Sequence, residues 1–266
     1  MLTRRQIEQA ASIQQLSADY LRTLIAPLDG MWEGAIIPQA TFWEIQDQEQ
    51  SVGYFCLDAD QCLLRFHLWE TYQSRAQEIF RWLIESYQIQ QAMASTIEPA
   101  YFSLCLDLQR SMQAQAYLFQ DHHNVVLTPA ISNCIFRPAT ESDLEHMLSF
   151  YQANIDGPVA WLPDFLRTRI QRQELFMLAA EQGTILAAGE YIPSQSQRPY
   201  VDLGMVVARA YRGKGLASYT LTQLKQHAYQ QGLKPICSCD VSNLASQKAI
   251  QKAGFISIHR IMKIHF

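Results

Sequence analysis

The stretch from Tyr200 to Gln231 constrains this chain more than any other. Residues Tyr200 to Val207 read YVDLGMVV, short and β-rich, as a buried strand is. After the segment Arg212, Gly213, Lys214, Gly215, Leu216 and Ala217, apolar or small residues recur every four positions at Leu216, Thr220, Leu224 and Ala228. Lys225, Gln226 and Gln230 lie between them, which is the pattern of a helix with one apolar face. The glycines therefore sit between a strand end and a helix start. Unpaired backbone N–H groups and the positive end of the helix dipole make that position an anion site. Gly213 and Gly215 allow close approach of backbone to ligand, while Arg212 and Lys214 add positive charge. A phosphate or pyrophosphate is the expected occupant.

The type of phosphate ligand follows from spacing. The Walker pattern has no match, and the dinucleotide pattern finds Gly213 and Gly215 but meets Ser218 at its third glycine. The pattern R/Q-x-x-G-x-G/A fits as Arg212, Gly215 and Ala217 and resembles the pyrophosphate loop of the GNAT acetyltransferase superfamily. Taken alone, the loop could equally be a basic glycine turn before a surface helix. Downstream, however, Lys234 to Val241 reads as a strand. It is followed by Asn243, a short helical run through Ser246 and Ile250, and then Gly254 and Phe255. This Asn-led helix ending in Gly-Phe resembles the superfamily's second landmark, and Gly254 suits the residue that closes a helix. Residues 134–266 are thus identified as similar to a GNAT domain. The wording around Cys239, Asn243 and Ser246 is also similar to the group that includes zwittermicin A resistance acetyltransferases.

A chain of 266 residues has room for one large or two ordinary domains. At 48% hydrophobic and 17% charged it predicts a packed core, and a net charge of −4 without a polybasic run disfavours nucleic acid as a partner. The six cysteines at 56, 62, 105, 134, 237 and 239 form no CxxC pair, so no metal is expected and all six read as reduced thiols. No signal-like or membrane-spanning run is visible, so a soluble, cytoplasmic protein is expected.

The first half reads as the second does. A helix is expected over residues 4–25, then strands near 40–45, 51–57 and 62–69 and a helix from Ala76 to Tyr87. A strand at 90–96, a helix after Pro99 and a strand near 114–119 complete it. With Ala217 set against Arg75 and Cys239 against Thr96 the element orders agree, which implies an internal duplication. The expected architecture is α/β with a mixed sheet in two tandem GNAT-like domains: residues 1–120, a linker at 121–133, and residues 134–266. Against the glycine loop the first half offers Glu70 to Arg75 with no glycine, and side chains there block close approach while Glu70 repels phosphate. Only Gly30, Gly34 and Gly53 fall in the first half, against eight glycines in the second, so the N-terminal domain is expected to be degenerate. Its expected role is to pack against the active half and shape the acceptor cleft. His122 and His123 read as a surface loop.

The resemblance implies acetyl-CoA as acetyl donor and the amine of a small molecule as acceptor, joined by direct attack in a ternary complex. Pantetheine would lie along the backbone of Met205, Val206 and Val207, where a splayed strand leaves polar groups unpaired. Pyrophosphate would sit on Arg212 to Ala217, with Asn243 and Ser246 contacting the cofactor from the second landmark. The N–H near Val206 is the oxyanion candidate. Glu190 and Asp202 are the candidate bases, each also readable as a solvated or paired carboxylate, and Asp156 is a further acid for a cationic amine. Many relatives carry a tyrosine acid where this chain has Ile250, which leaves Ser246 or water to protonate the thiolate. Tyr211 and Tyr219 read as packing residues. The expected assembly is a monomer or homodimer. A CoA-binding sensor without turnover is the alternative, and a nucleotide-binding module a third reading.

Overall fold

The chain opens on a strand where a helix was expected. In the computed structural model, which describes residues 1–129 and 131–266, β1 (Leu2–Ile7) precedes α1 (Ala10–Leu21). β1 pairs antiparallel with residues Phe42 to Asp47. The guanidinium of Arg4 lies 4.0 Å over the Trp43 ring and 3.9 Å over Tyr87, and Arg5 pairs with Glu44 at 2.7 Å. These long-range partners outweigh the local helical spacing of Ile7, Ala10 and Ala11.

Next come β2 (Thr41–Asp47), β3 (Gln50–Leu57), β4 (Leu63–Leu68), a 3-10 segment (Glu70–Arg75), α2 (Ala76–Ser86), β5 (Gln91–Ser95), α3 (Pro99–Leu108) and β6 (Ser111–Asp121). The series then repeats as β7 (Cys134–Pro138), α4 (Leu144–Asn154), α5 (Leu162–Gln171), β8 (Leu175–Ala180), β9 (Ile185–Pro193), β10 (Tyr200–Val207), α6 (Leu216–Gln230), β11 (Lys234–Asp240), α7 (Leu244–Lys252) and β12 (Phe255–His265).

The chain divides into two units, Met1–Leu118 with Ile258–Phe266, and Phe119–Ser257. The C-terminal nine residues thus leave the second unit, where 134–266 was expected to be one body. The reason is pairing: β12 runs antiparallel to β5, with Ile261 opposite Ser95 and Ile264 opposite Ala92. In the first unit the strand order is β1-β2-β3-β4-β5-β12-β6. One face is packed by α2 and α3 around Phe55, Phe66, Phe80 and Leu83, with Ile264 and Phe266 in the same cluster. The other carries Tyr20, Phe42, Tyr54, Leu64 and Ile261. In the second unit the order is β11-β10-β9-β8-β7. α4 and α5 cover one face through Met147, Tyr151, Leu162 and Leu166, and α6 covers the other through Leu216 and Leu224.

Residues 121–133 were expected to be a linker, and their beginning is built into the second unit. The amides of His122 and His123 donate to the Gly254 carbonyl at 3.2 and 2.9 Å. Gly254 has φ +91, and a Cβ there would come within 2.1 Å of the His123 carbonyl oxygen, so only glycine fits. Lys225, 1% exposed, fixes the same corner. Its ammonium donates to the carbonyls of His123 (2.7 Å) and Ala253 (2.8 Å) and forms an ion pair with Asp121 at 2.6 Å. Asp121 Oδ1 lies off the N–H direction and finds no directed hydrogen bond, while Oδ2 accepts from Tyr229.

Two outcomes follow. Burying Ile261, Ile264 and Phe266 contributes about 1.5–3 kcal/mol each, a large share of the roughly 5–15 kcal/mol that holds a domain together. A chain ending at Ser257 is therefore expected to unfold the first unit, seen as lost native tryptophan fluorescence and aggregation on size exclusion. Lys225→Met strands three acceptors and is expected to lower stability by about 3–5 kcal/mol, read as a shift in the urea midpoint at unchanged slope.

Candidate active site

β10 and β11 run parallel and pair only from Tyr200 opposite Lys234 to Asp202 opposite Ile236. Beyond that, β10 continues to Val207 and β11 to Asp240 without further pairing to each other. On its other side β10 stays paired with β9 throughout, Val207 opposite Ala187. The split turns the N–H and C=O of Leu203, Met205 and Val207 toward a gap, the Val207 carbonyl accepting from Arg212. Gly204 and Val206 pair with Glu190 and Ala188 on β9, so the N–H of Val206 is not open to an oxyanion. Buried polar backbone of this kind requires a partner.

At the end of β10 a 3-10 turn (Arg209–Tyr211) leads into Arg212, Gly213, Lys214 and Gly215, and α6 begins at Leu216. Gly213 and Gly215 have φ +77 and +75, the left-handed region that glycine adopts without a steric cost. No side chain caps the helix, and its first intrahelical bond from this end runs from the Tyr219 amide to the Gly215 carbonyl. The amides of Leu216, Ala217 and Ser218 thus precede the hydrogen-bonded turns. A Cβ on Gly213 would meet nothing within 4 Å, and one on Gly215 would meet only the Lys252 ammonium, at 3.8 Å. The residues present fit a pyrophosphate: an open, glycine-formed helix N-terminus with a cation beside it.

The basic residues differ in part from expectation. The guanidinium of Arg212 donates through Nε and Nη2 to the carbonyls of Val207 (3.3 Å) and Asn154 (2.7 Å), which leaves its Nη1 for an anion. It thereby also braces the loop. Lys214 lies 5.0 Å over the Tyr211 ring, and a further cation comes to Gly215 from Lys252, at the last turn of α7, which the sequence reading passed over. Asn154 was also missed. Its amide donates to the Phe150 carbonyl at 2.7 Å and its Oδ1 accepts from the Arg209 amide at 2.7 Å, tying the end of α4 to the glycine loop. Asp156 does not supply charge to a cleft. It pairs with Arg209 at 2.6 Å, and its side chain is 89% exposed.

On α7, Asn243 caps the helix by accepting from the Ser246 amide at 3.0 Å, so its carbonyl oxygen is committed. The Ser246 side chain hydrogen-bonds Cys239, which offsets part of the upward push that burial exerts on that thiol. Ile250 is buried, a packing residue where a tyrosine would point a hydroxyl. Tyr211 and Tyr219 pack against the Leu186 and Leu216 cluster.

The carboxylates lie on the opposite face of the sheet from α6. Gly189 and Tyr191 face α6, through Leu224 and His227, so Glu190 between them faces α4 and α5. Tyr151 on α4 donates to Glu190 Oε1 at 2.8 Å. Glu190 stands opposite Gly204 on β10, where a Cβ would come within 3.3 Å of its Oε2. Burial pushes the Glu190 carboxyl up from its ordinary value, against the lowering influence of Tyr151 and Arg169. Asp202, two residues from Gly204, shares that face by alternation.

The first unit shows what the same scaffold looks like without these features. Its β4 and β5 meet only at Leu63 opposite Ala92. The carbonyl of Leu68 at the end of β4 accepts from Gln73 Nε2 at 2.9 Å, as that of Val207 at the end of β10 accepts from Arg212 Nε at 3.3 Å. The loop is a 3-10 segment with no left-handed residue, and Arg75 is held by Glu78 (2.7 Å) and Asp47 (2.6 Å). Counting three residues back from the strand end, Gly204 opposite Glu190 becomes Arg65 opposite Cys56. Arg65 is 3% exposed and lies 4.2 Å over the Tyr20 ring, and Tyr20 in turn hydrogen-bonds Glu98.

Comparison with known proteins agrees with this description. Residues 9–122 match a family model described as an acetyltransferase (GNAT) domain, and residues 143–255 match one described as the acetyltransferase (GNAT) family. No curated protein matches the chain. Among solved structures, an acetyltransferase from the GNAT family of Colwellia psychrerythraea is 34% identical over 99% of both chains, with a TM-score of 0.92. A GCN5-related N-acetyltransferase from Sphaerobacter thermophilus shares the fold at 12% identity and TM-score 0.66, over 100% of this chain and 95% of that one. A tandem GNAT protein from the clavulanic acid biosynthesis pathway does so at 13% identity and TM-score 0.64, over 100% and 98%. The chain belongs to the GNAT acetyltransferase family and carries two GNAT domains in tandem.

Proposed function

We propose that the second unit is an acetyl-CoA-dependent N-acetyltransferase that moves an acetyl group to the amine of a small molecule. The observation that carries this reading is the pairing of two features on one strand. The open glycine loop follows β10 directly, and a half-buried carboxylate faces the same strand from β9. Acetyl-CoA serves as acetyl donor substrate, with pyrophosphate on the backbone of Gly213 to Ala217 and the Lys252 ammonium beside it. Arg212 holds the loop and keeps its Nη1 for the anion. The gap-facing N–H groups of Met205 and Val207 receive the pantetheine arm as an added strand would be received. Val206 lies between them, its own N–H turned by the register to Ala188 on β9, and is not the oxyanion donor.

In this reading the acceptor nitrogen attacks the thioester carbonyl, the C–S bond breaks, and acetyl ends on nitrogen. Glu190 takes the proton that the amine loses, and Asp202 adds negative charge that draws a cationic amine to the same face. The thiolate takes its proton from water or Ser246. The likeness around Cys239, Asn243 and Ser246 to the zwittermicin A resistance group supports a small amine as acceptor. The glycine-free loop of the first unit, with no left-handed residue, supports a domain that has lost its cofactor site. The six unbridged cysteines suit a reducing compartment, and a cytoplasmic location goes with this reading. No described helix is long and apolar enough to cross a membrane.

Gly215→Val forces a branched residue into a left-handed position and sets methyl groups where the pyrophosphate lies. It is expected to abolish CoA binding in calorimetric titration while the chain keeps its native circular dichroism spectrum, at a stability cost of about 1–3 kcal/mol. Unaltered affinity would remove the basis of the assignment. Wild-type protein should bind one CoA per chain, and a stoichiometry of two would contradict loss of the site in the first unit.

The alternative, a CoA-binding sensor, is favoured by Ile250 and by the engagement of Ser246 with Cys239, which leave no obvious acid. Thioester consumption across a panel of small amines separates the two, since a sensor binds CoA and consumes none. If turnover is found, Ser246→Ala should cost well under the roughly 10²–10⁴ that removal of a positioned proton donor costs. A loss of that larger size would install the serine as the acid.

A further inference from the structure

We infer that Tyr151 is a positioning residue for acetyl transfer: from α4 it holds the Glu190 carboxylate in place over Gly204, ready to receive the acceptor amine's proton. This rests on the N-acetyltransferase reading above and assigns a role within it.

The geometry has four parts. Tyr151 is buried, and its hydroxyl donates to Glu190 Oε1 at 2.8 Å, so that oxygen is oriented by a donor on a rigid helix. Gly204 offers no side chain on the opposite strand, and Glu190 Oε2 occupies the space over it, 3.3 Å from where a Cβ would be. The helix that carries Tyr151 is tied to the glycine loop through Asn154, which accepts from the Arg209 amide and from Arg212. The tyrosine is thereby registered against the cofactor loop as well as against the carboxylate. Finally, the first unit keeps the scaffold but replaces the pair: Cys56 and Arg65 stand where Glu190 and Gly204 stand, and its tyrosine on α1 serves Glu98 instead. The unit without a phosphate loop is also the one without the acid and its space.

Every element packed on Glu190 contributes a known group. α4 supplies Tyr151, whose phenol burial and the neighbouring carboxylate keep protonated and therefore a donor. α5 supplies Arg169, itself paired with Glu174 at the start of β8. β10 supplies Asp202 on the same face, and the β8 neighbour is the apolar Leu175. Burial raises the Glu190 carboxyl, while Tyr151 and Arg169 favour its charged form. Removing the tyrosine hydroxyl therefore raises it further.

The test is the pH profile of kcat/KM at saturating acetyl-CoA, with ethanolamine, putrescine and glucosamine as acceptor probes. In wild-type enzyme, activity rises with pH as Glu190 loses its proton. Tyr151→Phe should shift that acidic limb upward by roughly one to two pH units, the size expected for loss of one hydrogen bond to a charged group. It should lower kcat at neutral pH about tenfold and leave the acetyl-CoA dissociation constant within twofold. Glu190→Gln should abolish the limb, and in that background Tyr151→Phe should cost nothing more, because the tyrosine acts only through the carboxylate. A Tyr151→Phe enzyme with the wild-type profile, or one depressed evenly at all pH values, overturns the inference. So does an additive loss in the double variant. Should Tyr151→Phe fail to fold, Gly204→Ala, which crowds the same carboxylate, must disturb the limb or the inference fails. No consumption of acetyl-CoA with any probe by wild-type enzyme that binds CoA sinks the transferase reading itself, and this inference with it.

Discussion

The early end of the β10–β11 pairing is the constraint on which the rest of the second unit depends. A parallel pair that continued past Asp202 and Ile236 would satisfy the backbone of Leu203 to Val207 internally and leave nothing for a ligand. With the pairing stopped, that backbone needs a partner, and the helix that follows begins uncapped on two left-handed glycines. Both features leave polar backbone open in one direction along one strand. The unit maintains this arrangement by bracing it from outside: Arg212 and Asn154 hold the loop to α4, and Asn243 caps α7 on the far side of the gap.

The first unit shows how such a site is closed without changing the fold. Its strands also separate early, at Leu63 and Ala92, and Gln73 turns back to the Leu68 carbonyl, but the loop tightens into 3-10 turns. Arg65 fills the space that Gly204 leaves empty, stacked on Tyr20 near the buried carboxylate of Glu98. The carbonyl at the strand end is taken by a side chain in both units, Gln73 in the first and Arg212 in the second, so the difference lies in the loop and in the Arg65 side chain. Pairing and burial explain the strand Ile258–Phe266. It pairs with β5 and buries Ile261, Ile264 and Phe266 there, so the last residues of the chain stabilise the first unit.

Within the second unit, the two faces of the sheet have different chemistry. The α6 face buries Leu203, Leu216 and Leu224 beside Thr220, whereas the α4 and α5 face holds Glu190 and Tyr151 among apolar neighbours. Burial pushes a carboxyl in that setting above its ordinary value, and one phenol and one guanidinium oppose the rise. Period-two alternation along β9 and β10 brings Glu190, Gly204 and Asp202 to one side and keeps the loop helix on the other.

What the sequence determined was whatever depends on near neighbours along the chain. Helical spacing placed α6, the glycines placed the turn before it, and Asn243 and Gly254 marked the start and close of α7, because each needs only its own backbone conformation or a partner within one turn. The repeated order of elements was legible for the same reason, and it held in the two GNAT domains. Tertiary structure alone decided which strand pairs with which. Residues 2–7 became a strand because β2 and two aromatic rings were waiting for Arg4 and Arg5, and Ile258–Phe266 went to the first unit because β5 was there. It also decided the use of each charged side chain. Arg212 matched the loop pattern and in addition holds two carbonyls through Nε and Nη2, Asp156 pairs with Arg209, and Lys252, from a separate helix, comes beside Gly215. Tyr151 meets Glu190 across 39 positions of chain. No local pattern encodes such meetings, because a side chain long enough to reach several partners takes whichever the packed backbone brings within hydrogen-bonding distance.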